Sequence, residues 1–406
     1  MKMTRLAWWA WSLSWWGLLA CTADPVQPAP LAADTVVAPT PDEGAIDGRE
    51  ETQSPPDTLE ADTQSPAPPP ASTVDLPPTT GRIPADFAGG HNCWPWVSTA
   101  EGGDWADTLA ETGCYLLGGD SPEVVAEAIA YDVRVPLWAD LAGKTRYLFL
   151  PEGAQLGWNA TTSFDFPDGT VLLKEFFLDG ALVESRFVLK AAGTWEAATY
   201  RWNGTFSDAT VVRLSETLKI GEHDWLLPGI EDCTLCHTNS ADFVLGLRGD
   251  QLFREVDMFG LGEVNQVAAL NDLGLFKPPL PATIELSPLA RIDDSEATVT
   301  ERARSYMASN CANCHRPGGA PHSDIDLRIG TPLSEMRACD VFPLNTVLGL
   351  GALARIIVPG EPDRSLLSLR MERRDDEAMP QLGTFVVHEA GAVLIRAWIE
   401  GLAACE

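Results

Sequence analysis

The sequence Cys-x-x-Cys-His occurs twice in this chain, as Cys233-Thr234-Leu235-Cys236-His237 and as Cys311-Ala312-Asn313-Cys314-His315. No other feature restricts the fold as much. Two thiols with two residues between them match the two vinyl groups of a haem, to which they add as thioethers, and the histidine that follows is carried beneath the iron. The same spacing can serve half of a zinc site or a redox dithiol. Two copies, with no further cysteine pair of this kind to complete a four-ligand zinc cage, favour haem. Two covalently bound haem c groups are therefore expected. Cys233 and Cys236 would hold one, with His237 on its iron, and Cys311 and Cys314 the other, with His315 on its iron.

The second motif also has a candidate for its sixth ligand. Met379-Pro380 lies 64 residues after His315 and just before an apolar-periodic C-terminal segment. A methionine thioether is a soft, neutral donor that favours ferrous iron and raises the reduction potential. Met371 lies in the helix-like stretch 364–371, where packing is the expected role. Pro317 or Pro321 brings a backbone carbonyl close enough to accept the Nδ1 proton of His315. For the first motif Met258 is the nearest downstream donor, and His91, His223, His322 and His388 could reach it only through tertiary contact.

The N-terminus has a charged start, then an apolar run from Leu6 to Ala20 holding five tryptophans, then Cys21. This is the pattern of an export signal over residues 1–21. The run is shorter than the ~18–20 residues that span a bilayer, and no later run is longer. Leu18-Leu19-Ala20-Cys21 reads as a lipobox, so Cys21 is expected to be acylated, with Thr22 compatible with sorting to an outer membrane. Two or more acyl chains make such attachment lasting. Residues 22–85 hold 14 of the 31 prolines and are expected to be a disordered tether. With Cys21 acylated and four cysteines in the two motifs, Cys93, Cys114, Cys339 and Cys405 remain. In an oxidising compartment these become disulfides. Three connectivities are possible, and proximity along the chain favours Cys93–Cys114 and Cys339–Cys405. The formal net charge of −30 repels nucleic acid and steers basic protein partners.

From about residue 133 to 227 the texture is that of strands, with Asp179-Gly180 and Asn203-Gly204 as two-residue turns. After Pro228 it changes to short helical stretches, over about 268–275, 301–310 and 390–402. The expected fold is multidomain α+β: an antiparallel β domain over 90–228, a first haem segment over 229–290, and a second, mainly α-helical, cytochrome c-like segment over 291–406.

These stretches resemble a family of bacterial exported dihaem c-type cytochromes over roughly residues 105–405. The resemblance rests on 131–138, 146–151, 166–174, Cys233 to His237 with Leu245-Gly246-Leu247, 310–319, 358–365 and Met379-Pro380. It implies single-electron transfer with redox partner proteins, a dehydrogenase or another cytochrome, at a membrane reached through the lipid anchor. The rival expectation is a dihaem peroxidase-like enzyme whose first iron has an open position. A third is a binding module whose β domain recognises a cell-surface ligand.

Overall fold

Residues 171–191 show how local chemistry builds the central sheet. Asp179 and Gly180 both take left-handed backbone angles, φ +49° and +79°, the pair a type I′ turn requires. The turn joins the strand Val171–Leu178 to Ala181–Ala191. In this computed structural model, which describes residues 72–79, 92–94, 105–119, 121–258, 262–319 and 324–406, the hairpin lies inside a six-stranded antiparallel sheet in simple chain order. The strands are β1 (Ile129–Ala130), β2 (Gly143–Phe149), β3 (Val171–Leu178), β4 (Ala181–Ala191), β5 (Thr194–Trp202) and β6 (Ala209–Val211). Cys21 and the export signal, His91, Pro321 and His322 lie outside the described residues.

Both faces of this sheet are covered, and period-two alternation decides which side chain goes where. One face sends Val171, Leu173, Phe187 and Tyr200 into a core with Trp94 and the disulfide Cys93–Cys114. The other sends Leu148, Leu172 and Val188 into a core completed by Val244, Leu247, Val267 and Phe276. The boundary expected at 228 is therefore not a packing boundary. Residues from both sides of it share one core, because the sheet's second face has no other cover, and the described residues cluster as one unit.

Two further expectations are corrected. The tether of 22–85 includes residues 72–79, which are ordered by tertiary pairing. The strand Thr73–Asp75 runs antiparallel to Thr283–Glu285, Val74 and Leu76 pack on the core, and Thr79 hydrogen-bonds Asp272. Asn203-Gly204 is not a two-residue turn. Asn203 Oδ1 accepts from the backbone N–H of Thr205 and Ser207, and this side-chain capping stabilises a wider loop, so Trp202 pairs with Ala209.

Three helices matter for the motifs: α1 (Ile230–Cys233), α2 (Val299–Asn310) and α3 (Glu389–Glu400). Among the described residues no helix is long and apolar enough to cross a membrane. In α3, Leu394, Ile395, Trp398 and Ile399 are buried against Ala303, Tyr306 and Met307 of α2. Gly391 permits this approach, since a Cβ there would lie 2.5 Å from the Tyr306 hydroxyl. Gly391→Ala should therefore destabilise the fold by about 1–3 kcal/mol, the usual cost of overpacking. Denaturant titration checks this, and an unchanged midpoint contradicts it. The disulfide Cys339–Cys405 closes the chain after α3.

Candidate cofactor site

Each motif sits at the end of a helix, and the two adopt the same local turn. In the first, the strands Glu216–Ile220 and His223–Leu227 deliver the chain to Gly229. A Cβ there would lie 2.8 Å from the backbone nitrogen of Ser215, so only glycine lets α1 start so close. Asp232 caps that start, accepting from Gly229 N–H at 3.2 Å and from the Ser215 hydroxyl. The chain then folds back so that His237 N–H donates to Cys233 O at 2.9 Å. In the second, α2 opens with a reciprocal capping box between Thr298 and Glu301. His315 N–H donates to Cys311 O at 2.9 Å, reproducing the turn of the first motif.

The two motifs, far apart in sequence, meet in space. Arg316 reaches across to Ser240 O at 2.8 Å, and Cys314 Sγ lies 3.8 Å from Leu235 O. Interaction between the Cys236 and Cys314 thiols is the chief reason Cys236 is pushed up and Cys314 down to about 7. Burial pushes Cys311 up to about 12 and raises Cys233 as well.

The histidine rings have the protonation an iron ligand needs. His237 Nδ1 lies 2.5 Å from Phe243 O. A carbonyl can only accept, so Nδ1 carries the proton and the lone pair is on Nε2. Burial, and then the charge of Lys174, push His237 down to about 4. Burial and Arg370 do the same at His315, also to about 4. Both rings are neutral at pH 7.

His237, Cys233 and Cys236 line a cleft that encloses about 1500 Å³ of empty space, counting the part open to solvent. Its opposite wall is the second face of the sheet. Apolar side chains, Leu172, Phe176, Val188 and Trp225 among them, make up much of the lining. Across it runs a row of cations set by strand register: Arg146 opposite Lys174, and Lys174 opposite Arg186. Arg146 pairs with Asp132 at 2.7 Å, and Arg186 with the buried Glu184 at 2.6 Å. Burial and the flanking arginines push Lys174 down to about 7. Sequence reasoning did not find this row, although inward-pointing cations in strands of period two were its signal.

The other expected ligands fall as follows. Met379 is half-buried, and its N–H donates to the carbonyl of Arg370 at 2.9 Å, the residue whose charge acts on His315. Leu382 and Gly383, just beyond it, line the first motif's cleft. Met371 packs in the core with Met307, Met336 and Trp398. Met258 is buried in the core under the sheet. His223 faces Asp179 at the hairpin end, 3.9 Å away, and His388 stacks on Trp138 with centroids 4.1 Å apart. Among the described residues no group of three or more His, Cys, Asp or Glu side chains forms a metal cage.

The depressed histidines set a pH dependence for the haem-free chain. A neutral buried imidazole binds its proton only near pH 4, whereas in the unfolded chain it does so near 6.5. The unfolded state therefore holds more protons between these values. Stability is full above about 6.5 and falls as pH drops toward 4, by on the order of 3 kcal/mol for His237. Urea midpoints of the haem-free chain across that window check this, and a flat profile contradicts it.

Compared with protein-family models, with curated proteins and with solved structures, the chain matches none.

Proposed function

We propose that this protein is an exported dihaem c-type cytochrome, anchored through an acylated Cys21, that relays single electrons between redox partner proteins. The observation that supports it most is the meeting of the two motifs in the same turn conformation, with Cys314 Sγ 3.8 Å from the carbonyl of Leu235 inside the first motif. Groups attached there start from neighbouring segments, as an internal relay needs.

The residues present fit such a group. Cys233 and Cys236 would hold it through thioethers at the first site, and Cys311 and Cys314 at the second. His237, oriented by the Phe243 carbonyl, would offer Nε2 to the first iron. His315 would do so at the second, with Met379 as the further donor. Haem, when bound, supplies a one-electron ferric/ferrous couple whose potential its ligands and surroundings tune. The apolar side chains of the cleft would lower the polarity around that couple. The sheet therefore serves as one wall of the first site, and the C-terminal segment forms a cytochrome c-like shell around the second.

Optical redox titration of protein matured in a host that attaches haem should show two one-electron steps per chain, with no turnover of hydrogen peroxide. Peroxide turnover that disappears in His237→Ala would replace the carrier reading with an enzyme.

A further inference from the structure

We propose that Lys174 supplies, through Nζ, the sixth ligand to the iron of the haem carried by Cys233 and Cys236; this rests on the haem reading above. Other donors near the first cleft are already engaged. Met258, the sequence candidate, is spent in the core. His223 sits at the hairpin end beside Asp179. His388 is clamped between Trp138 and the Tyr306 hydroxyl, 3.1 Å from its Nδ1.

The other lysine, arginine and glutamine side chains of the cleft each have a partner. Arg146 and Arg186 have carboxylate partners, Arg248 pairs with Asp250 at 2.6 Å, and Lys144 donates to Leu137 O. Gln251 is bonded to the Val135 backbone and to Ser309, and amides, alcohols and guanidinium groups are weak iron ligands in any case. Lys174 differs on each count. It lies mid-strand on the wall that faces the first motif, and its charge acts on both His237 and Cys236. Among the described residues its amine makes no hydrogen bond and no ion pair. As an ammonium it sits between two guanidinium groups, and no carboxylate among the described residues pairs with it, whereas a neutral amine on iron removes that repulsion. Lysine loses its proton far more readily than arginine when enclosed, so the central residue of the row is the one able to ligate.

The test uses the full dihaem protein, wild type and the variants Lys174→Gln and Lys174→Arg, with ferric spin states read by electron paramagnetic resonance. Wild type should be low-spin at both irons, with one site showing two nitrogen ligands. Both variants should convert one haem per chain from negligible to mostly high-spin, or to a visibly different low-spin signal, while the second site's signal is kept as an internal check on folding. Arginine retains the charge but cannot ligate, so a wild-type signal in Lys174→Arg overturns the proposal in favour of a purely electrostatic role. A wild-type signal in Lys174→Gln overturns it too, as does a high-spin first iron in the wild type. Intact mass of the same samples separates this from failure of the haem reading, because a chain with no haem on Cys233 and Cys236 fails there first.

Discussion

Replacing Cys233 and Cys236 together by alanine is expected to remove one covalently bound haem and leave the other, and replacing Cys311 and Cys314 does the reverse. The loss is complete in each case, because a thioether cannot form without its thiol. Independence of the two sites follows from their supports. The first turn hangs from the sheet through Gly229 and Asp232. The second is the end of α2, which packs on α3, Met336 and Ile357 in a separate core. The motifs meet where Cys314 Sγ approaches the Leu235 carbonyl, so the surviving haem should show an altered potential while staying attached. Intact mass with an optical redox titration reads both effects. Loss of both haems from one double substitution would mean that the sites form only together.

The second large effect belongs to the Cys339–Cys405 disulfide, whose ends are 66 residues apart in sequence. Closing a loop of that length is worth about 4 kcal/mol in the chain-entropy account. The loop contains Met379 and the whole of α3. Cys339 also lies in a parallel bridge with Ile357, so the bond ties the chain end to the floor of the α2–α3 core. Cys339→Ala with Cys405→Ala should lower stability by about 4 kcal/mol and loosen the Met379 segment. The iron–thioether absorption of the second site should weaken in that variant and vanish in Met379→Ala. A band that survives Met379→Ala would remove Met379 from the ligand set.

What could be read from the sequence was what is local. Asp179-Gly180 announces its turn because two successive positive φ angles need those residue types, and the repeated Cys-x-x-Cys-His spacing matches a turn that both motifs share. The apolar period over 390–402 marks α3, and proximity favours the two cysteine pairs that are joined. What could not be read depends on distant partners. Nothing in the proline-rich composition around Thr73 shows that residues 283–285 will pair with it. The cation row was hidden by a single residue. A regular hairpin closed at 179–180 would set Lys174 opposite Ser185, with Arg186 on the other face. A register shift between Phe176 and Phe177 instead sets it opposite Arg186, and a slip of one residue moves a side chain to the other face. The wall facing the first motif is thus made by an irregularity that strand propensity does not encode.

Both motifs are expected to carry covalent haem. The direct measurement is the intact mass of the wild-type chain, matured in a haem-attaching host and extracted with acid acetone to strip any haem held only by coordination. Two haem masses above the polypeptide are predicted, one lost with each double cysteine substitution. A polypeptide mass with no haem added would contradict the account.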